Sequence, residues 1–417
     1  MGKTGQATGF KLVFRSLKYR NFRLFFGGQS LSLIGTWIQR IATSWLVYHL
    51  TGSTIMLGLV GFVGQIPTFL LAPFGGVASD RWNRYRLLIL TQVLAMVQAA
   101  ILAVLLFTGR IEVWHVILLS IFLGIVNAFD VPIRQAFFIE MIEKKEDLGN
   151  AIAINSSMVN SARLIGPAVA GILISATGEG VCFLINAFSF VFVIISLFMM
   201  KVAPKEKIER KSHIFREMKE GFAYGFSNLP IRYIILLLAL VSLMGMPYSV
   251  LMPVMAKEVL HGDSHTFGFL MAASGLGALV GAYYLASQRS AAGLNKVIPF
   301  SAALFGLGLI AFSFSRSFYL SMILMVVTGL GMMMQMAASN TVLQTIVDDD
   351  KRGRVMSFYT MAFMGIAPFG SMLAGSLAKW VGTPYTLMTG GICCMAGAVA
   401  FMMKLPSITQ AGPHSGS

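Results

Sequence analysis

The chain reads as an all-α integral membrane protein, with twelve transmembrane helices arranged as two pseudo-symmetric six-helix bundles. Three observations predict this. Hydrophobic residues make up 56% of the 417 residues, charged residues only 12%, and the mean hydropathy is +0.75. A soluble domain carries roughly 25% charged residues, so most of this surface does not face water. Second, apolar stretches of about 20 residues, the length that crosses a bilayer core, are centred near residues 35, 66, 97, 127, 163, 190, 245, 274, 305, 331, 366 and 393. Third, the chain is written twice, with an offset of about 204 residues.

The repeat is legible at several points. Phe198-Met199-Met200-Lys201 ends span six and Phe401-Met402-Met403-Lys404 ends span twelve. The loop after span four holds Glu143, Lys144, Lys145, Glu146, Asp147 and Gly149. The loop after span ten answers with Asp348, Asp349, Asp350, Lys351, Arg352 and Gly353. Gly166 and Gly171 of span five then correspond to Gly370 and Gly375 of span eleven. Parallel six-span repeats place a substrate near the bilayer midplane, between the halves. The expected organisation is a bundle over 1–201 with a basic leader, a linker over 202–225, a second bundle over 226–404 and a tail over 405–417. In the linker, Phe215, Met218 and Phe222 share one helical face with Arg216, Lys219 and Glu220 around the other, the pattern of a helix lying in the membrane interface. Phe10, Val13, Phe14 and Leu17 repeat that pattern in the leader.

Charge sets the expected orientation. The leader, the even-numbered loops and the tail hold 25 of the 32 lysines and arginines, and the odd-numbered loops hold only Arg110, Lys257, Arg316 and Lys379. Positive charge stays inside, so both termini are expected in the cytoplasm of a multi-pass cell (bacterial inner) membrane. The net charge of +15 then lies along one membrane face, where anionic lipid is its partner. Nucleic acid is not.

Ionisable groups within the spans are few. Inside a membrane they are costly and face a cavity or a partner. Span one offers Ser32, Thr36, Gln39, Arg40 and Thr43 at helical spacing; span four offers Asn127, Asp130 and Arg134 at i, i+3 and i+7; span five offers Ser156, Asn160 and Arg163. Asp130 reads in two ways: as a proton-coupling carboxylate, or as half of a permanent ion pair with Arg134 or Arg163. Arg40 and Arg163 read either as attractors of an anionic substrate or as helix braces. The C-terminal half supplies Ser242, Met246, Tyr248, Gln335, Ser339 and Asn340 as cavity candidates. Cys182, Cys393 and Cys394 read as packing residues, and His261 with His265 as a chance pair. The glycines Gly275, Gly277 and Gly281 read as helix-packing positions. No cofactor or metal is expected.

Between spans two and three the chain runs Gly75-Gly76-Val77-Ala78-Ser79-Asp80-Arg81-Trp82-Asn83-Arg84-Tyr85-Arg86. In that position it resembles the cytoplasmic loop signature of the major facilitator superfamily of transporters. The resemblance implies the major facilitator fold and a conformational latch of Gly76, Asp80, Arg81 and Arg84 that locks the halves together when the cavity faces outward. Gly75 and Gly76 suit close helix approach. Asn83 stands where the family has glycine and tolerates a left-handed backbone. The counterpart after span eight, Gly281 to Leu285, lacks the aspartate, so the latch is one-sided. Residues Ala162 to Gly171 resemble the family's export signature, Gly-x-x-x-Gly-Pro-x-x-Gly-Gly, with alanine at Ala162 and Ala170. Its carried-over positions are Ala162, Gly166, Pro167 and Gly171, where Pro167 frees a backbone carbonyl and bends the helix.

Asn21 to Phe25, Gln29-Ser30, Gly35, Thr51 to Ser53, Asp130 to Phe137 and Asn150 to Gly171 look like a branch containing enterobactin exporters and macrolide efflux proteins. That resemblance implies proton-driven export of a bulky amphiphilic or anionic small molecule of drug, macrolide or siderophore type, by alternating access. The alternatives are an importer of the same fold, or a non-transporting membrane scaffold or sensor. The sequence holds no nucleophile elbow, no His-Glu-x-x-His motif and no ATP-binding loop, so it reads neither as an enzyme nor as an ATP-driven pump. A monomer is expected.

Overall fold

A computed structural model describes residues 15–201, 228–288 and 293–410. The interfacial helix expected over 215–222, and Phe10, Val13 and Phe14 of the leader, lie outside the described residues. A short 3₁₀ turn, Arg15–Lys18, precedes α1 (Arg20–Thr51), α2 (Thr54–Arg81), α3 (Arg84–Phe107), α4 (Val113–Glu140), α5 (Lys145–Thr177) and α6 (Glu179–Phe198). After the linker come α7 (Leu229–Val259), α8 (Ser264–Ser287), α9 (Leu294–Phe314), α10 (Phe318–Ile346), α11 (Lys351–Val381) and α12 (Thr383–Gln410). The described residues contain no strand. Eleven of these helices, α2 to α12, are long and apolar enough to cross a membrane. Helix α1 is 32 residues long but carries a polar face, which is turned toward a central cavity.

Turn chemistry fixes where the spans end. Gly52 takes φ +57° between α1 and α2, a left-handed conformation that glycine adopts without a Cβ clash. Ser53 caps α2 by accepting from the Met56 N–H, Asn83 caps α3 by accepting from Arg86, and Asp263 caps α8 by accepting from His265 and Thr266. Asn83 is therefore an extended N-cap with φ −69°, not the left-handed residue expected of it: its side-chain oxygen satisfies an orphan amide at the helix start. The turn before α1 is tied to the base of α5. Asp147 pairs with Arg15 at 3.0 Å and Lys18 at 2.7 Å and accepts from the Tyr19 hydroxyl. The hydrogen bond to that carboxylate raises the pKa of Lys18.

The repeat seen in the sequence recurs in the packing. Helix α2 packs on α4 as α8 does on α10, and α3 on α6 as α9 does on α12. Gly166 of α5 sits against Trp37 of α1, while its counterpart Gly370 of α11 sits against Leu243 and Pro247 of α7. The halves meet along two matching seams, α5 on α8 and α2 on α11. In the first, a Cβ on Gly171 would stand 2.8 Å from the Ser264 carbonyl oxygen and 3.1 Å from Gly268 Cα. In the second, a Cβ on Gly375 would stand 2.5 Å from the Thr54 carbonyl oxygen and 2.8 Å from Gly58 Cα. Each crossing is backbone against backbone, which only glycine permits.

Pro167 does not break α5, which is continuous from Lys145 to Thr177. The carbonyl that a proline leaves without its i+4 donor is that of Arg163, and it lies against Gly275 of α8, whose Cβ would stand 2.8 Å away. The neighbouring helix thus covers the freed oxygen, through a Cα–H contact. The interruptions fall elsewhere, at π-helical turns over Val241–Gly245, Met255–Val259 and Met361–Gly365. Each adds a residue to its turn and rotates the helix beyond it.

Candidate functional site

The fold leaves a central cavity of about 1460 Å³, larger than the few hundred Å³ that suit a drug-sized ligand. It opens at the end that carries the termini, where its wall reaches Pro73 of α2, Gln135 of α4 and Gly353 to Ser357 of α11. The opposite end is closed. There the two glycine seams lie, Trp45 of α1 stacks on Phe267 of α8 at 6.0 Å, and the Tyr48 hydroxyl donates to Glu258 of α7. The Ser264 hydroxyl adds a 3.2 Å bond to the Gly171 carbonyl.

The N-terminal half supplies most of the polar wall. Thr36, Gln39, Arg40, Asn127, Asp130 and Arg134 all line the cavity. Gln39 is held on both sides: it accepts from Asn186 of α6 and donates to Gln98 of α3, each at 2.8 Å. This amide chain makes α1, α3 and α6 a single polar wall. Sequence reasoning missed Asn186 and the α3 residues, although Thr91 and Gln98 fall at i and i+7 with the small Ala95 between them at i+4, a polar signal in an otherwise apolar span that could have revealed them.

The structure pairs Asp130 with Arg134, not with Arg163. Its Oδ2 lies 3.2 Å from Arg134 Nε, and Oδ1 accepts from Thr91 at 2.9 Å and Gln92 at 2.6 Å. One buried carboxylate is the acceptor for donors from two helices.

Several expected cavity residues stand elsewhere. Met246, Tyr248, Gln335, Asn340 and Asn160 are not part of the wall. Tyr248 is buried with its hydroxyl 2.7 Å from Ser274, Gln335 donates to Ser339, and Asn160 donates to the Ser156 carbonyl. Asn340 accepts from Gln344 at 2.6 Å. The C-terminal half instead presents Ser249, Val250, Phe267, Met271, Arg354, Phe358, Met361 and Met364. In α7 the π turn at Val241–Gly245 precedes Met246 and shifts the helix phase, so Ser249 and Val250 take the inward positions.

Two arginines near the middle of the fold have no acidic partner among the described residues. Arg40 projects into the cavity, and its guanidinium lies 5.1 Å from the Trp37 ring; Arg163 of α5 lies 5.4 Å from the same ring. The Nε and Nη1 of Arg163 are closed to solvent and unbonded. A cation over an aromatic face gains about 0.5–2 kcal/mol, while an arginine at the bilayer centre costs about 2.5–3.5 kcal/mol on insertion scales. Trp37 alone does not offset that cost for Arg163, whereas Arg40 is exposed to the cavity.

In the hairpin, Arg84 bonds Asp80 at 3.0 Å, Glu140 of α4 at 2.6 Å and the Ser79 carbonyl at 2.8 Å. Arg81 is exposed. Gly76 has nothing within 4 Å of a Cβ; the close approach is made by Gly75, against Ala128 and Pro132 of α4. Gly76 therefore packs against no helix here, because the neighbouring position faces α4. Asp80 is 56% exposed, and pairs of that exposure contribute little. Asp80→Asn is thus expected to change stability by less than about 0.5 kcal/mol, whereas Arg84→Ala, which deprives Glu140 of a 2.6 Å partner, should cost about 1 kcal/mol. Thermal melts of the two variants check the order.

Two matching seams around a midplane cavity, built from two repeats of six helices, define a transporter of the major facilitator fold. The profile of the transmembrane secretion effector family matches residues 13–415, and the chain belongs to that family. It is a multi-pass membrane protein and a secondary transporter of the efflux type, not an enzyme. The staphyloferrin A transporter of Staphylococcus aureus is 27% identical over 91% of this chain and 95% of its own length. Macrolide efflux protein A of Streptococcus pyogenes is 24% identical over 91% and 96%. A bacterial homologue of the human lysosomal transporter Spinster, solved in an inward-facing, unoccupied conformation, superposes with a TM-score of 0.76 over 95% of this chain and 99% of that one, at 14% identity. That likeness is one of fold.

Proposed function

We propose that the protein exports a bulky small molecule, of drug, macrolide or siderophore type, across the bacterial inner membrane in exchange for protons, acting as a monomer with both termini in the cytoplasm. The carrying observation is the cavity itself: about 1460 Å³, open at the termini end and sealed at the other by two glycine seams related by the internal repeat. With the termini inside, this is the inward-facing state that loads cargo from the cytoplasm. Residues 1–201 then rock against 226–404 about the midplane, joined by 202–225 and followed by the tail at 405–417. The 25-to-4 distribution of basic residues supports the orientation and the reading of anionic lipid as a partner on the cytoplasmic face. Asp80, Arg81 and Arg84 stand where they can latch the halves together once the cavity faces outward. The relatives named for staphyloferrin A and for macrolides support the cargo class.

The test compares accumulation of a panel of dyes, macrolides and siderophores in cells with and without the protein. At least one compound should accumulate less when the protein is present, and a proton uncoupler should erase the difference. No difference for any compound contradicts export; a difference that survives the uncoupler contradicts proton drive.

A further inference from the structure

The cavity's charge is unbalanced. Among the described residues, the ionisable groups of the inner wall are Arg40 and Arg134 against one aspartate, Asp130, and that aspartate is bonded to Arg134. Behind the wall, Arg163 adds a further guanidinium beside the ring that Arg40 also covers. Neither Arg40 nor Arg163 forms an ion pair among the described residues, whereas Arg84, Arg134, Arg15 and Lys18 each have a carboxylate within 3.2 Å.

Two like charges held beside one indole at the centre of a membrane protein repel each other. Burial strengthens that repulsion. Helix bracing does not account for the arrangement, because a brace would present an acceptor to Arg163 Nε and Nη1, and those atoms have none. The placement does serve a ligand. Arg40 reaches the cavity from α1. Arg163 stands behind the wall on α5, over the same Trp37 ring, and its carbonyl is packed on Gly275 at the seam between the halves. A planar guanidinium matches a carboxylate through paired N–H donors, and an acid group there would neutralise both cations beside an aromatic surface.

We infer that the cargo is an organic anion carrying at least one carboxylate, held by Arg40 in the cavity wall, with Arg163 adding positive charge from behind Trp37. This deepens the export reading and rests on it for the word cargo; anion binding is measurable without transport.

The probe is 2,6-naphthalenedicarboxylate, an aromatic dianion, with its neutral dimethyl ester as control, added to the full-length protein purified in a neutral maltoside detergent. The dianion should raise the melting temperature, since a ligand that binds only the folded state stabilises it, and the ester should not. Arg40→Gln should weaken dianion binding by about tenfold or more, as expected for loss of a charge-assisted anchor, with Arg40→Lys intermediate, and Arg163→Gln should weaken it by a smaller factor, through the lost field of its charge. The ligand-free melting temperature of Arg163→Gln should hold or rise, because an unpaired buried cation has gone; a brace would make it fall. Equal shifts from dianion and ester, a rise given equally by inorganic sulfate, or a rise given only by phosphatidylglycerol each overturn the assignment. In cells, uncoupler-sensitive export of cationic ethidium but not anionic carboxyfluorescein, unchanged in Arg40→Gln, would sink the anion proposal and leave export standing. Export of neither dye, with dianion binding intact, would instead count against the export reading alone.

Discussion

Gly171→Val is expected to abolish export and leave the protein folded in the opposite conformation. The substituted carbon would meet the Ser264 carbonyl oxygen at 2.8 Å and Gly268 Cα at 3.1 Å. Both are backbone atoms that no rotamer change can clear. Overpacking of this kind costs about 1–3 kcal/mol, and each 1.4 kcal/mol is about tenfold in an equilibrium constant. Transporter states differ by only a few kcal/mol, so the penalty, incurred only when the seam is closed, is large enough to invert their populations. Gly375→Val should act in the same way through Thr54 and Gly58, because it occupies the matching place in the other seam. Gly27→Ala, at a position with nothing within 4 Å, is the control that should change nothing. The readout is labelling from outside the cell of a cysteine placed at Thr43, a cavity residue, in a background lacking Cys182, Cys393 and Cys394. It should be protected in the parent protein and reactive in the two valine variants.

Asp130→Ala is expected to cost about 3–5 kcal/mol, the range for removing one partner of a buried ion pair. The carboxylate is 7% exposed and accepts from Thr91, Gln92 and Arg134, so its loss strands the Gln92 amide and the Arg134 guanidinium, while the Thr91 hydroxyl keeps the Leu88 carbonyl. Asp130→Asn should be milder in volume but still leaves Arg134 uncompensated. The informative protein is the double variant Asp130→Asn with Arg134→Gln. Removing both charges of a pair is often close to neutral, so a purely structural ion pair within α4 predicts that the double variant regains most of its melting temperature and its proton-driven export. A proton-carrying Asp130 predicts recovery of stability with export still lost.

Much of this architecture was legible in the sequence, for reasons that differ by feature. The spans are readable because repeated apolar runs of bilayer length need lipid as their solvent. The pairing of Gly166 with Gly370 and of Gly171 with Gly375 is readable because both halves carry the same seam chemistry at one offset, and the structure puts each pair at corresponding contacts. Polar residues on α1 and α4 were readable because they stand out on apolar helices. The inward face of the C-terminal half was not. Helices α8 and α10 are apolar almost all round, so their rotational phase leaves no periodic trace. In α7 the π turn over Val241–Gly245 displaces the phase that a regular 3.6-residue period assigns to Met246 and Tyr248. Gln335 and Asn160 look like cavity residues by polarity alone, yet the amide nitrogen of each donates along its own helix, to Ser339 and to the Ser156 carbonyl.

Alternation between two closed ends is the centre of this account, and paired spin labels measure it most directly. One pair, Thr177→Cys on α5 with Trp380→Cys on α11, spans the two halves at the closed end; the other, Trp82→Cys before α3 with Gly353→Cys on α11, spans them at the open end. Under an imposed proton gradient the first separation should lengthen while the second shortens, and Gly171→Val should hold the protein in that state without a gradient. Distances that stay fixed at both ends, or that lengthen and shorten together, would contradict rocking about a midplane cavity.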